Sequence, residues 1–290
     1  MLFFCRANME VASMVSADDG LTWSAPAYFL DGRSTAFRAL LSVPQGKNVS
    51  HVATGPPTSI QLASGRIVVP TAFCYNGGFS RCASNAPGDW FAATLYSDDL
   101  AALVATGGTA HDGAVWRVST KSEGGNECQA SPTQNGSLLL NQRTNLGHRQ
   151  QSWSHDGGAT WDTPAPVAVG GKAAASCCCS TVFVASSSSS SSSSLATGTR
   201  SSAANSGTLV FSGPDSTGRS NMTVYTSKDS GATWQWLMAA EADSTARGAY
   251  SSLVAINSTH FGLAFEGSKR GQPTAGLQYF AAALPHDPAQ

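Results

Sequence analysis

Ser16-Ala17-Asp18-Asp19-Gly20-Leu21-Thr22-Trp23 is the stretch on which the fold turns, because it recurs twice. The later copies are Ser154-His155-Asp156-Gly157-Gly158-Ala159-Thr160-Trp161 and Ser227-Lys228-Asp229-Ser230-Gly231-Ala232-Thr233-Trp234. All obey Ser-x-Asp-x-Gly-x-Thr-Trp, and a decayed copy keeps only Ser97-Asp98-Asp99. A pattern kept at every fixed position marks an internal structural repeat. Its chemistry is that of a hairpin turn. The Asp carboxylate accepts bonds from nearby amides, and the glycine supplies a positive φ. Thr and Trp then enter a strand, with the indole free to pack between sheets.

Strand patterns surround the repeat. Residues 9–15, 138–142 and 222–226 read as strands preceding the three copies. Residues 59–70 read as strand, turn, strand about Ser64-Gly65. Residues 130–140 turn at Asn135-Gly136, and residues 250–266 near Asn257. Such units arranged radially make a propeller. At about 40–50 residues per blade, the expectation is an all-β, six-bladed β-propeller with an incomplete first blade. It forms one domain over residues 1–290, interrupted at about 185–206 by a segment with nine consecutive serines. That tract cannot bury apolar surface and reads as a disordered loop between strands; a domain linker is the competing reading.

Composition narrows the function. The chain has 290 residues, 41% hydrophobic and 12% charged, with net charge −1. That charge makes no field for nucleic acid or an anionic membrane, so anion recognition falls to individually placed arginines. No apolar run is long enough to span a bilayer. Residues 1–6 are too short for a signal peptide and read as a strand, as though the chain began inside a domain. Cys74 and Cys82 flank an Asn-Gly-Gly-Phe turn that a disulfide can close, whereas Cys177-Cys178-Cys179 matches no zinc spacing. No His, Asp or Cys cluster has ligand spacing, so no metal or organic cofactor is implied; His111-Asp112 and His148 read as loop residues. Sequons at Asn48, Asn135, Asn221 and Asn257 hint at a secretory route, secreted or lysosomal, although Asn135 is better explained as a turn residue.

The repeat is similar to the Asp box, or bacterial neuraminidase repeat, and the chain resembles the sialidase family from about residue 9 to 282. Asp boxes also occur in propellers that are not sialidases, and their role is structural, so Asp18, Asp156 and Asp229 are expected to form turns. Asn126-Glu127-Cys128-Gln129 resembles the family's Asn-Glu-Ser/Cys-Gln, which implies that Glu127 is the base activating a tyrosine. The run from Asn135 to Arg143 resembles Asp-Gly-x-Leu-x-x-Asn-x-Arg, making Arg143 the second arginine of a carboxylate-binding triad. Arg219, ahead of the last box, corresponds to the third. Tyr250, within Gly248-Ala249-Tyr250-Ser251-Ser252-Leu253, resembles Gly-Tyr-Ser-x-Leu and is the nucleophile candidate. Glu266 resembles a carboxylate that supports the first arginine. Ala53-Thr54-Gly55-Pro56-Pro57-Thr58-Ser59-Ile60-Gln61-Leu62 resembles the family's Gly-Pro-Gly-x-Gly-Ile-Gln-Leu loop, with Pro57 and Ser59 replacing glycines.

Two parts of the pattern are missing. The first arginine is not found: Arg38, in Ala36-Phe37-Arg38-Ala39-Leu40, follows the first box rather than preceding it and is assigned to a loop. The acid/base aspartate is not found either; Glu10 lies nearby but within a strand. The resemblance implies an exo-α-sialidase acting on sialylated glycans with retention of configuration. A trans-sialidase would use the same residues. A sialidase-like carbohydrate-binding protein without turnover, and an Asp-box propeller scaffold for protein interaction, are the competing readings.

Overall fold

The computed structural model describes all residues except 57, 77–88, 106–114, 145, 168–178, 187–205, 217, 241–246, 269–275 and 286–290. Within the described residues, five antiparallel sheets follow one another in chain order, with two short helices. Sheet I is β1 (Leu2–Arg6), β2 (Glu10–Met14) and β3 (Ala27–Asp31), followed by α1 (Thr35–Leu40). Sheet II comprises β4 (Asn48–Thr54), β5 (Ile60–Gln61), β6 (Ile67–Asn76), β7 (Trp90–Ser97), β8 (Arg117–Val118) and β9 (Ser122–Glu123), in the order β4-β6-β7-β8 with β5 on β6 and β9 on β7. Helix α2 (Leu100–Ala105) lies between β7 and β8.

Sheet III runs β10 (Gly125–Pro132), β11 (Leu138–Thr144), β12 (Arg149–Ser154) and β13 (Ala165–Val167). Sheet IV runs β14 (Ser180–Ala185), β15 (Gly207–Pro214), β16 (Met222–Ser227) and β17 (Gln235–Ala239). Sheet V is β18 (Gly248–Ala255), β19 (His260–Gly267) and β20 (Gly276–Ala283). The strand that enters the second box is β12, with residues 138–144 one strand further back. The sequence misses β12 because Arg149, Gln150 and Gln151 are polar, yet all are buried.

Each sheet buries a face on its neighbour. Val11 of sheet I meets Val49, Val52 and Phe73 of sheet II around Phe37 and Leu41. Ala92 of sheet II meets Cys128, Ala130 and Leu140 of sheet III. Val167 of sheet III meets Phe211 and Tyr225 of sheet IV. Val184, Val210 and Val224 of sheet IV meet Leu253, Leu263 and Phe265 of sheet V. Burying one such side chain stabilises by roughly 1.5–3 kcal/mol, so these inter-sheet layers are the core.

The boxes are turns, as their sequence requires. In the third, Ser227 Oγ donates to Asp229 Oδ1 at 2.7 Å and accepts Gly231 N–H at 2.9 Å. Asp229 accepts Thr233 N–H at 2.9 Å and its hydroxyl at 2.5 Å. The same bonds recur in the first and second boxes. Gly20, Gly158 and Gly231 have φ of +88°, +86° and +92°, a region closed to most L residues. The decayed copy diverges: Ser97 Oγ accepts Leu100 N–H at 3.2 Å, and the chain enters α2 instead of a hairpin.

Later boxes seat on the preceding sheet. Thr94 donates to Gly158 O at 2.7 Å, and Trp161 Nε1 donates to Thr94 at 3.2 Å. Trp153 Nε1 and Gln151 Nε2 donate to Ser230 O and Gly231 O at 2.8 and 2.7 Å. Trp161 is thus buried between sheets, whereas Trp23 is 42% exposed and bonds its own turn at Gly20 O.

Smaller expectations resolve similarly. Asn135 Oδ1 accepts from Thr133, Ser137 N–H and the Ser137 hydroxyl, which makes it a turn residue. Cys74 is disulfide-bonded, while Cys82, Cys177, Cys178 and His111-Asp112 lie outside the described residues. Most of the serine-rich segment does too, but its flanks do not: Ala185 pairs with Gly207, so it joins adjacent strands of one sheet. Among the described residues no helix is long and apolar enough to cross a membrane.

Candidate active site

The first strands of sheets III and V share an irregularity. Gly125 pairs with Thr144 and Cys128 with Gln142, so Asn126 and Glu127 face Arg143 alone. Gly248 pairs with Gly267 and Ser251 with Phe265, so Ala249 and Tyr250 face Glu266 alone. Two residues opposing one is a β-bulge, which bends a strand and re-aims its side chains. Each bulge opens on a crowded glycine. A Cβ on Gly125 would stand 2.2 Å from Gln142 Oε1, and one on Gly248 would stand 2.9 Å from Met222 Cβ.

The two bulges aim their residues at each other. Tyr250 donates its hydroxyl to Glu127 Oε1 at 2.8 Å, and Arg143 Nη1 donates to Glu127 Oε2 at 2.6 Å. Both oxygens of the carboxylate are therefore engaged. The Arg143 and Glu127 side chains keep 22% and 18% of their surface, so a ligand can reach them while most water is excluded. Arg219 lies between β15 and β16, with its guanidinium carbon 5.1 Å from the Tyr250 ring centroid. Its backbone is tied to the tyrosine's strand, because Gly248 N–H donates to Arg219 O at 3.0 Å. Glu127, Arg143, Arg219 and Tyr250 converge on one place.

Burial pushes the Tyr250 hydroxyl up to about 12, and Glu127 acts in the same direction through its charge and hydrogen bond. Arg143 and Arg219 pull it back down. The phenol is neutral at pH 7 with an acceptor in contact, an arrangement able to deliver an oxygen nucleophile as its proton leaves.

Other residues separate from this cluster. Asp18, Asp156 and Asp229 are occupied by their turns. Hydrogen bonds from Thr22 and Ser16 hold Asp18 down at about 2. Burial raises Asp156 and Asp229, but their turn hydrogen bonds outweigh it and leave both below the ordinary carboxylate range. Glu10 lies in β2, ion-paired with Arg6 and, at 3.1 Å, with Arg33. Arg38 is in helix α1 rather than a loop; it donates to Asn48 and to Lys47 O, clamping the helix to β4. Glu266 is half-buried on β19, in the place Arg143 holds in sheet III.

His51 and Trp90 carry no sequence signal. A bulge between Val49 and His51 turns the histidine toward Trp90, with ring centroids 5.0 Å apart at 60°. The Glu127 charge also reaches this imidazole. A lone histidine in a strand carries no motif, so only the fold reveals it.

A family model described as a BNR repeat-like domain matches residues 4–263. Solved structures share the fold. The intramolecular trans-sialidase from Ruminococcus gnavus is 19% identical with a TM-score of 0.56, over 93% of this chain and 50% of that one. The leech intramolecular trans-sialidase is 19% identical with a TM-score of 0.58, over 94% and 36%. Trypanosoma rangeli sialidase, in a covalent intermediate with 2,3-difluorosialic acid, is 16% identical with a TM-score of 0.60, over 94% and 37%. The chain thus spans half or less of the length of these proteins. No curated protein sequence matches it.

Proposed function

The chain belongs to the BNR repeat-like domain family, and from that premise we propose that its pocket is that of an exo-α-sialidase releasing terminal sialic acids from glycans. The observation that carries this reading is the 2.8 Å bond from Tyr250 to Glu127, flanked by Arg143 and Arg219. The five described sheets pack in chain order, which supports a sialidase-like propeller forming one domain over residues 1–290; we read it as six-bladed, with five blades among the described residues.

Sialic acid carries a carboxylate on its anomeric carbon, so a charged nucleophile would be repelled there. A neutral phenol is not. Tyr250 oxygen bonds to the anomeric carbon while its proton passes to Glu127 Oε1. The glycosidic oxygen leaves with the bonding pair and takes a proton from a donor outside these four residues. Water then displaces the tyrosine, Glu127 returns the proton to the tyrosinate, and the water's proton goes back to that donor. Two displacements at one carbon retain configuration.

Arg143 and Arg219 receive the substrate carboxylate, for which planar guanidinium forks are suited. Arg143 starts on Glu127, so an incoming carboxylate competes for it. Drawing Arg143 away makes Glu127 a better proton acceptor at the moment substrate arrives.

Hydrolysis of a fluorogenic sialoside tests the proposal, with product stereochemistry followed by NMR. Tyr250→Phe should reduce turnover to background, and Glu127→Gln should lower kcat by about 10²–10⁴-fold. Turnover unchanged in Tyr250→Phe would sink the mechanism. Sialic acid binding without turnover in the unaltered protein would favour the carbohydrate-binding reading.

A further inference from the structure

We propose that His51 is a positioning residue for Glu127, setting how readily that carboxylate takes the Tyr250 proton; this rests on the sialidase reading above. Its strand β4 is the first of sheet II, as β10 and β18 are the first of theirs, and all three carry a bulge. The imidazole stands edge-on to Trp90, whose backbone oxygen accepts Gly124 N–H at 2.9 Å. Gly124 leads directly into β10 and Glu127. One contact chain therefore runs from the His51 ring through Trp90 to the strand bearing the base, while β10 packs against β6 and β7.

The electrostatics have a definite sign. Burial holds the imidazole below its ordinary 6.5, while Glu127 opposes this by favouring the charged ring. Among the described residues, Glu127 is the charged group that acts on His51. Cys74, its register partner on β6, is disulfide-bonded, and Trp90 does not titrate. At neutral pH His51 is uncharged, and Glu127 keeps its capacity to accept a proton. Below the ring's lowered midpoint an imidazolium forms within the field of the carboxylate, steadies its charge and makes it a poorer base. His51 thus adds its own step to the acid side of the pH profile.

The test begins with NMR titration of the His51 ring, identified as the resonance absent in His51→Gln. In Glu127→Gln the midpoint should fall by about one pH unit, the usual scale of environmental shifts in folded proteins. An unchanged midpoint overturns the proposal, and this reading does not require any His51 variant to fold. Sialoside kinetics then compare the unaltered protein with His51→Gln and His51→Asn. The acid limb of kcat should shift by a similar amount in both variants, with KM unchanged. A lower Tm with an unmoved acid limb means the ring only packs, and overturns the proposal. A midpoint shift without turnover in the unaltered protein upholds the His51–Glu127 coupling and overturns the sialidase reading, so the two failures are separable.

Discussion

Gly125 and Gly248 occupy the same place in two different sheets. Each opens a first strand, and each begins a bulge whose second residue joins the shared cluster, Glu127 in one case and Tyr250 in the other. Neither has room for a side chain. Gly125→Ala would press a methyl group into Gln142 and Ala92. It should cost about 1–3 kcal/mol, the usual range for overpacking, read as a lower Tm. Activity should fall further than the lost folded fraction, because the bulge that aims Glu127 is displaced. Full activity in a folded Gly125→Ala protein would show that the bulge does not need glycine.

Arginine identity should matter at the pocket. Arg143→Lys and Arg219→Lys keep the charge but lose the planar fork. A charge-assisted hydrogen bond is worth about 1.5–3 kcal/mol, so kcat/KM should fall roughly ten- to a hundredfold. Arg219→Lys should act mainly on KM. Arg143→Lys should also alter kcat, since Arg143 touches the base. Steady-state kinetics on a small sialoside separates the two patterns.

The boxes should differ in what they contribute to stability. Asp229 anchors a turn whose carbonyls are taken by Trp153 and Gln151 of sheet III and whose glycine abuts Leu139. Asp18 anchors a turn with Leu21 84% exposed and Trp23 42% exposed. Asp229→Ala should therefore destabilise by about 1–3 kcal/mol, and Asp18→Ala by less. Equal losses in thermal or urea unfolding would contradict the seating of the third box on its neighbour.

Acid should weaken the fold through the same carboxyls. Asp18, Asp156 and Asp229 all sit below their ordinary 3.8, Asp18 at about 2. A carboxyl depressed by folding adds stability above its unfolded value, and that stability is lost as pH falls through the folded one. Tm should be level above about pH 5 and decline between about 4 and 2 on this account. Asp229→Asn, which cannot titrate, should show a shallower decline.

The repeat was legible because its physics is local. Ser, Asp, Gly and Thr complete their bonds within one turn, so eight residues suffice to specify it. The pocket was legible only through the order of its parts: Glu127 and Tyr250 lie far apart in the chain, and no spacing rule joins them. The family resemblance supplied what local chemistry could not. Helix α1 went unread because Ser34 caps a single short turn whose main reason for forming is Phe37 filling the space between sheets I and II. The bulges went unread because they are a phase slip between two strands, a property neither strand carries alone. His51 shared that fate.

The bond between Tyr250 and Glu127 crosses from sheet V to sheet III, with sheet IV packed between them and supplying Arg219. No single sheet could therefore assemble this cluster. On the sialidase reading the chemistry belongs to the array and to no single sheet: sheet III bears the base and one guanidinium, sheet V the nucleophile and sheet IV the other guanidinium.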